Sequence, residues 1–480
     1  MPTGNPPPYE ALLRTDHFPV VTRTILVINA LVFLAMGISG ASWLGPRTSD
    51  ALRWGAEFGV LTLSGQWWRL VSSMFVHFGI IHIALNMWCL WALGPILERL
   101  MGWKAFAIIY FCTGIAASEA SLAWNPIRVS AGASGAICGI AGAFFSFLYF
   151  KKLPIDRHFV QRKLKSLTAF ILYNLFFGVV SLHVDNAAHV GGLIAGLILG
   201  ALVPAIPLKN LGAVGSSEEP TSEVGDGARE QSLSEERGNR LVLSIAMVSA
   251  LVLVAAAFGI QKHYASIVRF GKAAKLVRAG RPEVAISELQ SAIALTPAQP
   301  LACEMLGVLL LEKNDPIGAY PFLEQAVPQD RNNRYLRHNL ALAYVGAGYS
   351  KEAIREIDWA LESPAEDRPA AEFILGLSAY LDKDYGAASI HLHSAIEGRK
   401  DFFEAENALA RIYIETNRWN EARTLYTGVL SLHPNDAVAS SGIAFLNANP
   451  SGHPRSEDLP TITIPYSKLT AKSELWPFYP

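Results

Sequence analysis

Seven apolar stretches, each long enough to cross a bilayer, dominate the first 260 residues of this 480-residue chain. A spanning helix takes ~20 predominantly apolar residues. The stretches fall at 20–38, 75–97, 103–124, 133–150, 166–183, 188–206 and 241–260. The last, LVLSIAMVSALVLVAAAFGI, carries no charge at all. In hydrocarbon the backbone must satisfy its own hydrogen bonds, so each stretch is expected to be a helix. The first is long and lacks a small-residue cleavage site, so it reads as an uncleaved anchor. The whole chain is 51% hydrophobic and 17% charged, against about 25% charge in soluble proteins. That excludes a wholly soluble enzyme and a disordered scaffold. With 40 basic and 41 acidic residues the net charge is −1, which leaves no basic field for nucleic acid. Cys89, Cys112, Cys138 and Cys303 are widely spaced, and three of them sit in apolar stretches. Neither a disulfide framework nor a metal site is expected, and no cofactor is called for.

Lysine and arginine set the orientation. With the N-terminus in the cytoplasm, the inside segments hold fourteen of these residues and the outside loops four. Residues 1–19 are then a short cytoplasmic N-terminus, and everything after residue 260 lies outside the cytoplasm. An integral protein of a bacterial inner membrane is the expected setting. Residues 207–240 include GSSEEPTSEVGDGARE. They read as a flexible cytoplasmic linker between a six-helix unit and the seventh helix.

The second half repeats. Ala285, Ala319, Ala353, Ala388 and Ala422 recur at intervals of 34, 34, 35 and 34. A large residue follows four later (Leu289, Leu323, Ile357, Leu392, Tyr426), and a small one mostly seven later (Ala292, Ala326, Ala360, Ala395, with Val429 last). About thirteen earlier stand Leu306, Leu340, Leu375 and Leu409, each followed by Gly or Ala. Small residues let two helices approach and large ones fill the space between them. The pattern resembles the tetratricopeptide repeat, a helix hairpin of 34 residues. It covers 266–436 in about five units and predicts an α-solenoid with a concave face. A capping helix and tail are expected over 437–480. The tail segments ITIPYSK and LWPFYP suit docking better than an independent fold. Three readings stay open: a plug in the solenoid groove, a reach toward a partner, and a cap on the last helix.

Polar groups inside a membrane are costly and read as functional candidates. The second stretch holds His77, His82 and Asn86; the fourth opens with Ser134 inside Gly-Ala-Ser-Gly; the sixth opens with His189. Stretches two, four and six run in the same direction. Ser134 and His189 fall in the first turns of their helices, and His82 and Asn86 in the second and third. At 1.5 Å per residue, all four lie within roughly 5–15 Å of the outer surface. A serine hydroxyl needs a base to become a nucleophile, and His189 is the natural one. Glycines beside Ser134 admit close backbone approach, and the amide at a helix start binds an oxyanion. Asn86 and His82 supply further donors to that oxyanion. Asp185 stands four residues before His189, near the surface, so a dyad is expected rather than a triad.

These motifs together resemble the rhomboid intramembrane serine proteases. The matching pieces run from about residue 15 to 206: Trp68-Arg69, His82-x-x-x-Asn86, Leu-Gly-Pro-x-Leu-Glu-Arg at 93–99, Gly132-x-Ser134-Gly135, and Ala188-His189-x-x-Gly192-x-x-x-Gly196. The resemblance implies Ser134 as nucleophile, His189 as base, and an oxyanion site from His82, Asn86 and the Ser134 amide. It implies substrates that are transmembrane helices of other proteins, cut near the outer membrane face. Many rhomboids carry an aromatic four residues after the serine, where this chain has Cys138. His77 is expected to support the loop, Trp68 and Arg69 to anchor it, Glu119 to sit at the interface, and Gly192, Gly196 and Gly200 to pack helices.

The fold class is therefore all-α. A six-helix rhomboid core over 20–206 and a seventh transmembrane helix at 241–260 precede the solenoid. The outward repeats offer a means to recruit a substrate or protein partner. The rival function is a catalytically inactive rhomboid-like factor that binds membrane proteins. A transporter would need paired midplane charges or an inverted repeat, and neither is visible.

Overall fold

The computed structural model describes residues 19–151, 157–180, 184–204, 224–297, 299–358, 368–449, 462–464 and 466–472. It is all-α apart from one two-residue strand pair. The chain divides between Gly271 and Lys272 into two compact units.

The first unit begins with α1 (Val20–Ile38). A long connection follows, with α2 (Thr48–Arg53), β1 (Glu57–Phe58), α3 (Gly59–Leu63), α4 (Arg69–Ser72) and a short 3₁₀ turn at Ser73–Phe75. Next come α5 (Ile80–Met101), α6 (Trp103–Trp124), β2 (Val129–Ser130), α7 (Ser134–Phe150), α8 (Arg157–Val180), α9 (Asn186–Leu202) and α10 (Val224–His263). Five of these are long and apolar enough to span a bilayer: α1, α5, α6, α8 and the Glu236–His263 part of α10. Helices α7 and α9 have 17 residues each, at the short end of the ~17–25 that can span.

Four helices differ in their bounds from the sequence reading, the sixth, expected over 188–206, running from Asn186 to Leu202. The second stretch was expected from residue 75, but Gly79 turns the chain at φ 113°, and the helix runs from Ile80 to Met101. His77 therefore lies in the turn before α5, and His82 and Asn86 fall in its first and second turns. The fifth helix starts at Arg157 instead of 166, because Arg157, Arg162, Lys163 and Lys165 join it on an amphipathic first half. Part of the expected linker is helical. Helix α10 begins at Val224, where AREQSLSEER supplies good helix formers and Arg240 pairs with Glu236 one turn before it. The 207–223 part of the linker lies outside the described residues.

Two contacts lock the helices together. The carboxylate of Glu98, in the last turns of α5, accepts the Val21 and Thr22 amides at 2.9 and 2.8 Å and the Thr22 hydroxyl at 2.7 Å. It thus satisfies N–H groups that the start of α1 leaves bare, with the charge that a helix N-terminus favours. The second contact joins α7 to α9. A Cβ at Gly192 would strike the Gly135 carbonyl, one at Gly196 the Gly139 carbonyl, and one at Gly200 the Ala143 carbonyl. Three small residues on α9, spaced by four, lie against three on α7, also spaced by four. Gly139 in turn faces Thr113 on α6, so α7 is enclosed and nearly all of it is buried.

From residue 265 the described residues form five helix hairpins and a cap, the boundary between the units falling within the first helix. They are α11/α12 (Ala265–Arg278, Pro282–Leu295), α13/α14 (Pro300–Glu312, Pro316–Ala326), α15/α16 (Arg334–Ala347, Ser350–Ile357), α17/α18 (Arg368–Leu381, Tyr385–Gly398) and α19/α20 (Phe403–Glu415, Trp419–Leu432). Helix α21 (Ala437–Ala448) covers the end, and the short α22 (Tyr466–Leu469) follows. The five repeating alanines and the five large residues after them are all fully buried. Ala360 lies outside the described residues. Gly307 and Gly376 abut Leu323 and Leu392 so closely that a Cβ would not fit. Each hairpin turns on one residue in the left-handed region: Gly280, Asn314, Gly348, Lys383 and Asn417, at φ 69°, 61°, 86°, 63° and 60°.

The glycine contact yields a prediction. Gly196→Leu should destabilise the first unit by at least about 1–3 kcal/mol, the usual cost of overpacking, and lower its unfolding temperature in detergent. Gly259→Leu on α10, where the space around the glycine is open, should leave that temperature unchanged. Equal effects would show that the α7–α9 contact is not limiting.

Candidate active site

The site forms where α5, α7 and α9 begin. Ser134 is the first residue of α7, and His189 is in the first turn of α9. The glycine contact brings these ends together, and Ser134 Oγ lies 2.9 Å from His189 Nε2. His189 is buried, while Ser134 is half-buried and reachable. His189 Nδ1 is buried with no protein partner among the described residues. With the proton on Nδ1, Nε2 accepts the serine hydroxyl. Among the described residues no carboxylate bonds to the ring.

Asp185 serves the helix instead. Its carboxylate accepts the Ala188 amide at 3.1 Å and the hydroxyls of Ser121 and Ser130 at 2.5 and 2.6 Å. Its carbonyl accepts the His189 amide at 3.2 Å. It caps α9 and ties that end to α6 and to β2, the strand four residues ahead of Ser134. The sequence offered the cap signal, an Asp just before an apolar helix, but nothing that named the two serines.

His82 and Asn86 converge on Gly132. A Cβ there would lie 2.9 Å from His82 Nε2 and 3.8 Å from Asn86 Nδ2, and the residue sits at φ 128°. The Phe78 amide donates to His82 Nδ1 at 3.3 Å, which leaves the proton of the neutral ring on Nε2, aimed at this space. Asn86 spends one amide hydrogen on the His82 carbonyl at 3.0 Å and keeps the other. Ser134 opens α7, so its own amide belongs to the first-turn donors that a helix leaves unpaired. Two side-chain donors thus face one small volume at Gly132, two residues before the serine.

His77 holds the loop that precedes Ser134. Its Nδ1 donates to the Phe75 carbonyl at 3.4 Å, and its Nε2 accepts the Ala133 amide at 3.5 Å. The two histidine rings meet edge to face at 5.1 Å. The β1–β2 pair, with Glu57 opposite Ser130, fixes the same loop to the long connection. There Arg69 donates to the Leu52 and Ala56 carbonyls at 3.0 and 2.7 Å and stacks on Trp68. Burial lowers the Arg69 guanidinium to about 10 and pushes the Glu57 carboxyl well above its usual range. Cys138 is buried in the α7 core, and Glu119 is buried on α6. Among the described residues no group of His, Cys, Asp or Glu has the arrangement of a metal site.

Comparison with known proteins gives matches in both units. Residues 64–205 match the rhomboid domain model. Residues 338–401 and 379–444 match tetratricopeptide repeat models. Among solved structures, a MamA fragment from Desulfovibrio magneticus RS-1 is similar at TM-score 0.32 and 15% identity, over 36% of this chain and 97% of that one. The rhomboid protease GluP of Bacillus subtilis is 29% identical over 337 residues, which is 70% of this chain and 59% of GluP. This chain therefore spans less than two thirds of GluP's length. The rhomboid protease AarA of Providencia stuartii is 34% identical over 212 residues, or 39% of this chain and 74% of AarA. With that relative matched across most of its length, and with apolar spanning helices, the chain is an integral membrane protein that belongs to the rhomboid family.

Proposed function

We propose that this protein is an intramembrane serine endopeptidase that cuts transmembrane helices of other membrane proteins. The observation that carries the reading is the 2.9 Å contact between Ser134 and His189, with two side-chain donors aimed at the adjoining space. The relatives GluP and AarA are both named rhomboid proteases.

In this mechanism Ser134 Oγ attacks the scissile carbonyl as its proton passes to His189 Nε2. The new C–O bond pushes the carbonyl electrons onto oxygen. That oxyanion is met by the Ser134 amide, His82 Nε2–H and Asn86 Nδ2–H. The imidazolium returns its proton to the leaving amine as the C–N bond breaks. A water then attacks the acyl-serine, with His189 as base again. The donors are held before the reaction by their own hydrogen bonds, so little reorganisation is needed at the transition state.

Lysine and arginine counting orients the helix starts toward the outer face and puts the chain beyond α10 on that same side. Cleavage near the outer membrane face follows, with an extracytoplasmic repeat domain that recruits a substrate or protein partner to the site.

Ser134→Ala and His189→Ala should each lower cleavage of a helix-destabilised transmembrane substrate by on the order of 10⁴-fold or more. Fluorophosphonate labelling should vanish in Ser134→Ala. Substantial turnover by purified Ser134→Ala would end the reading. Asn86→Ala should cost about 10²-fold in turnover, since one donor among several is removed. Gly132→Ala should cost at least as much, because its Cβ fills the space the oxyanion would take. Unchanged turnover in Gly132→Ala would place the oxyanion elsewhere. A reporter active only in the cytoplasm should work when fused near residue 225 and be silent after residue 300; the reverse would remove the recruiting role.

A further inference from the structure

Residues 462–464 and 466–472 do not extend the solenoid; they lie across the first helices of its hairpins. Tyr466 is buried against Gly346 of α15, packed so closely that a Cβ there would strike its hydroxyl. Leu469 is buried too, and its carbonyl accepts a hydrogen bond from His338 Nε2 at 3.0 Å. Asn339, fully buried, pairs with the backbone of Ala471 in both directions: its Nδ2 donates to the carbonyl and its Oδ1 accepts the amide, each at 2.8 Å. Lys468 pairs with Glu404 of α19 at 2.9 Å and lies over the Phe403 ring. Lys472 pairs with Glu312 of α13 at 2.9 Å.

This contact set is that of a bound peptide. A side-chain amide that reads a backbone amide and carbonyl together recognises main chain and not a particular residue. Sequence is read around it by one aromatic pocket, one apolar pocket and two carboxylates. The hairpins close around their own alanines and leucines and α21 covers the last of them, while Tyr466 and Leu469 join that core from outside the repeats.

We propose that this surface of the repeats is a peptide-binding site, and that residues 462–472 are its displaceable ligand in cis. The partner it fits is a segment with one helical turn that carries an aromatic, a lysine two residues on and an aliphatic next, followed by a second lysine three further. The proposal rests on the recruiting role above only for the purpose of the binding. Its test reads no proteolysis and no membrane side, so each can fail alone. A tethered segment acts at an effective concentration on the order of millimolar. It therefore lowers the apparent affinity for the same peptide in trans by about tenfold or more.

The probe is a fluorescent peptide of residues 462–472, titrated by anisotropy against the detergent-solubilised chain. A chain ending at residue 461 should bind it at least about tenfold more tightly than the full chain. Glu404→Lys in the shortened chain should weaken binding, and a peptide carrying Lys468→Glu should restore it. In the full chain, Tyr466→Ala with Lys468→Glu should free the site without truncation and raise affinity for the unmodified peptide. Equal affinity for the full and shortened chains overturns the proposal, as does no binding to a shortened chain whose repeats remain folded. Loss of the repeat helices on truncation overturns it as well, because the segment would then be part of the fold.

Discussion

Two backbones in contact, α7 on α9, fix the geometry on which the first unit depends. The Ser134–His189 distance is not set by the two side chains. It is set by three glycines on α9 that let its axis approach the carbonyls of Gly135, Gly139 and Ala143. Any side chain at those positions would push the helices apart over their whole length. The hydrophobic effect cannot supply this closeness in lipid, where tails are as apolar as Leu, so small residues and dispersion contacts do it. The dyad is one end of a long, straight packing surface.

The other end of that logic is how the loop groups are held. Three polar groups near the serine have their orientation fixed by a bond to backbone: His77 to Phe75 and Ala133, His82 to Phe78, and Asn86 to the His82 carbonyl. These bonds also decide the tautomers. His77 presents an acceptor to Ala133, and His82 presents a donor to the open volume. Two histidines five residues apart in sequence thereby present opposite groups, one an acceptor to the loop backbone and one a donor to the space at Gly132.

Much of this was legible from residue spacing. The 34-residue period located the five hairpins because the alanines and leucines that recur are those buried between helices. Helical spacing put His82 and Asn86 on one face, and the Gly-x-x-x-Gly pattern placed α9 against a neighbour. Helix ends were less legible. Hydropathy averages over a window, so it ran the second stretch back through Gly79, whose positive φ in fact starts a turn. It also cut the fifth helix short where basic residues join an apolar one. The left-handed turn residues were hidden for another reason. Gly280 and Gly348 announce themselves, but Asn314, Lys383 and Asn417 occupy the same position in other hairpins. Asparagine takes that conformation more readily than other side chains, and at Lys383 the hairpin packing imposes it. Asp185 was legible as a cap and not as a tether, because Ser121 and Ser130 come from 64 and 55 residues away.

The absence of a carboxylate at the His189 ring follows from where Asp185 is used. Its two oxygens accept one amide and two hydroxyls, which turn the carboxylate toward the start of α9, α6 and β2. It acts on the histidine through the backbone, holding the first turn of α9 against α6 and β2. In a triad the third residue both orients the ring and offsets the charge formed on it. Here orientation comes from helix packing, capped by Asp185 and pinned by the glycine contact. That division makes the site more sensitive to helix separation than to local charge. A change that parts α7 from α9 by an ångström breaks the Ser134–His189 bond outright, whereas the ring itself has no second partner to lose. In this chain the rigidity of the bundle therefore holds the Ser134–His189 geometry that a third side chain would otherwise orient.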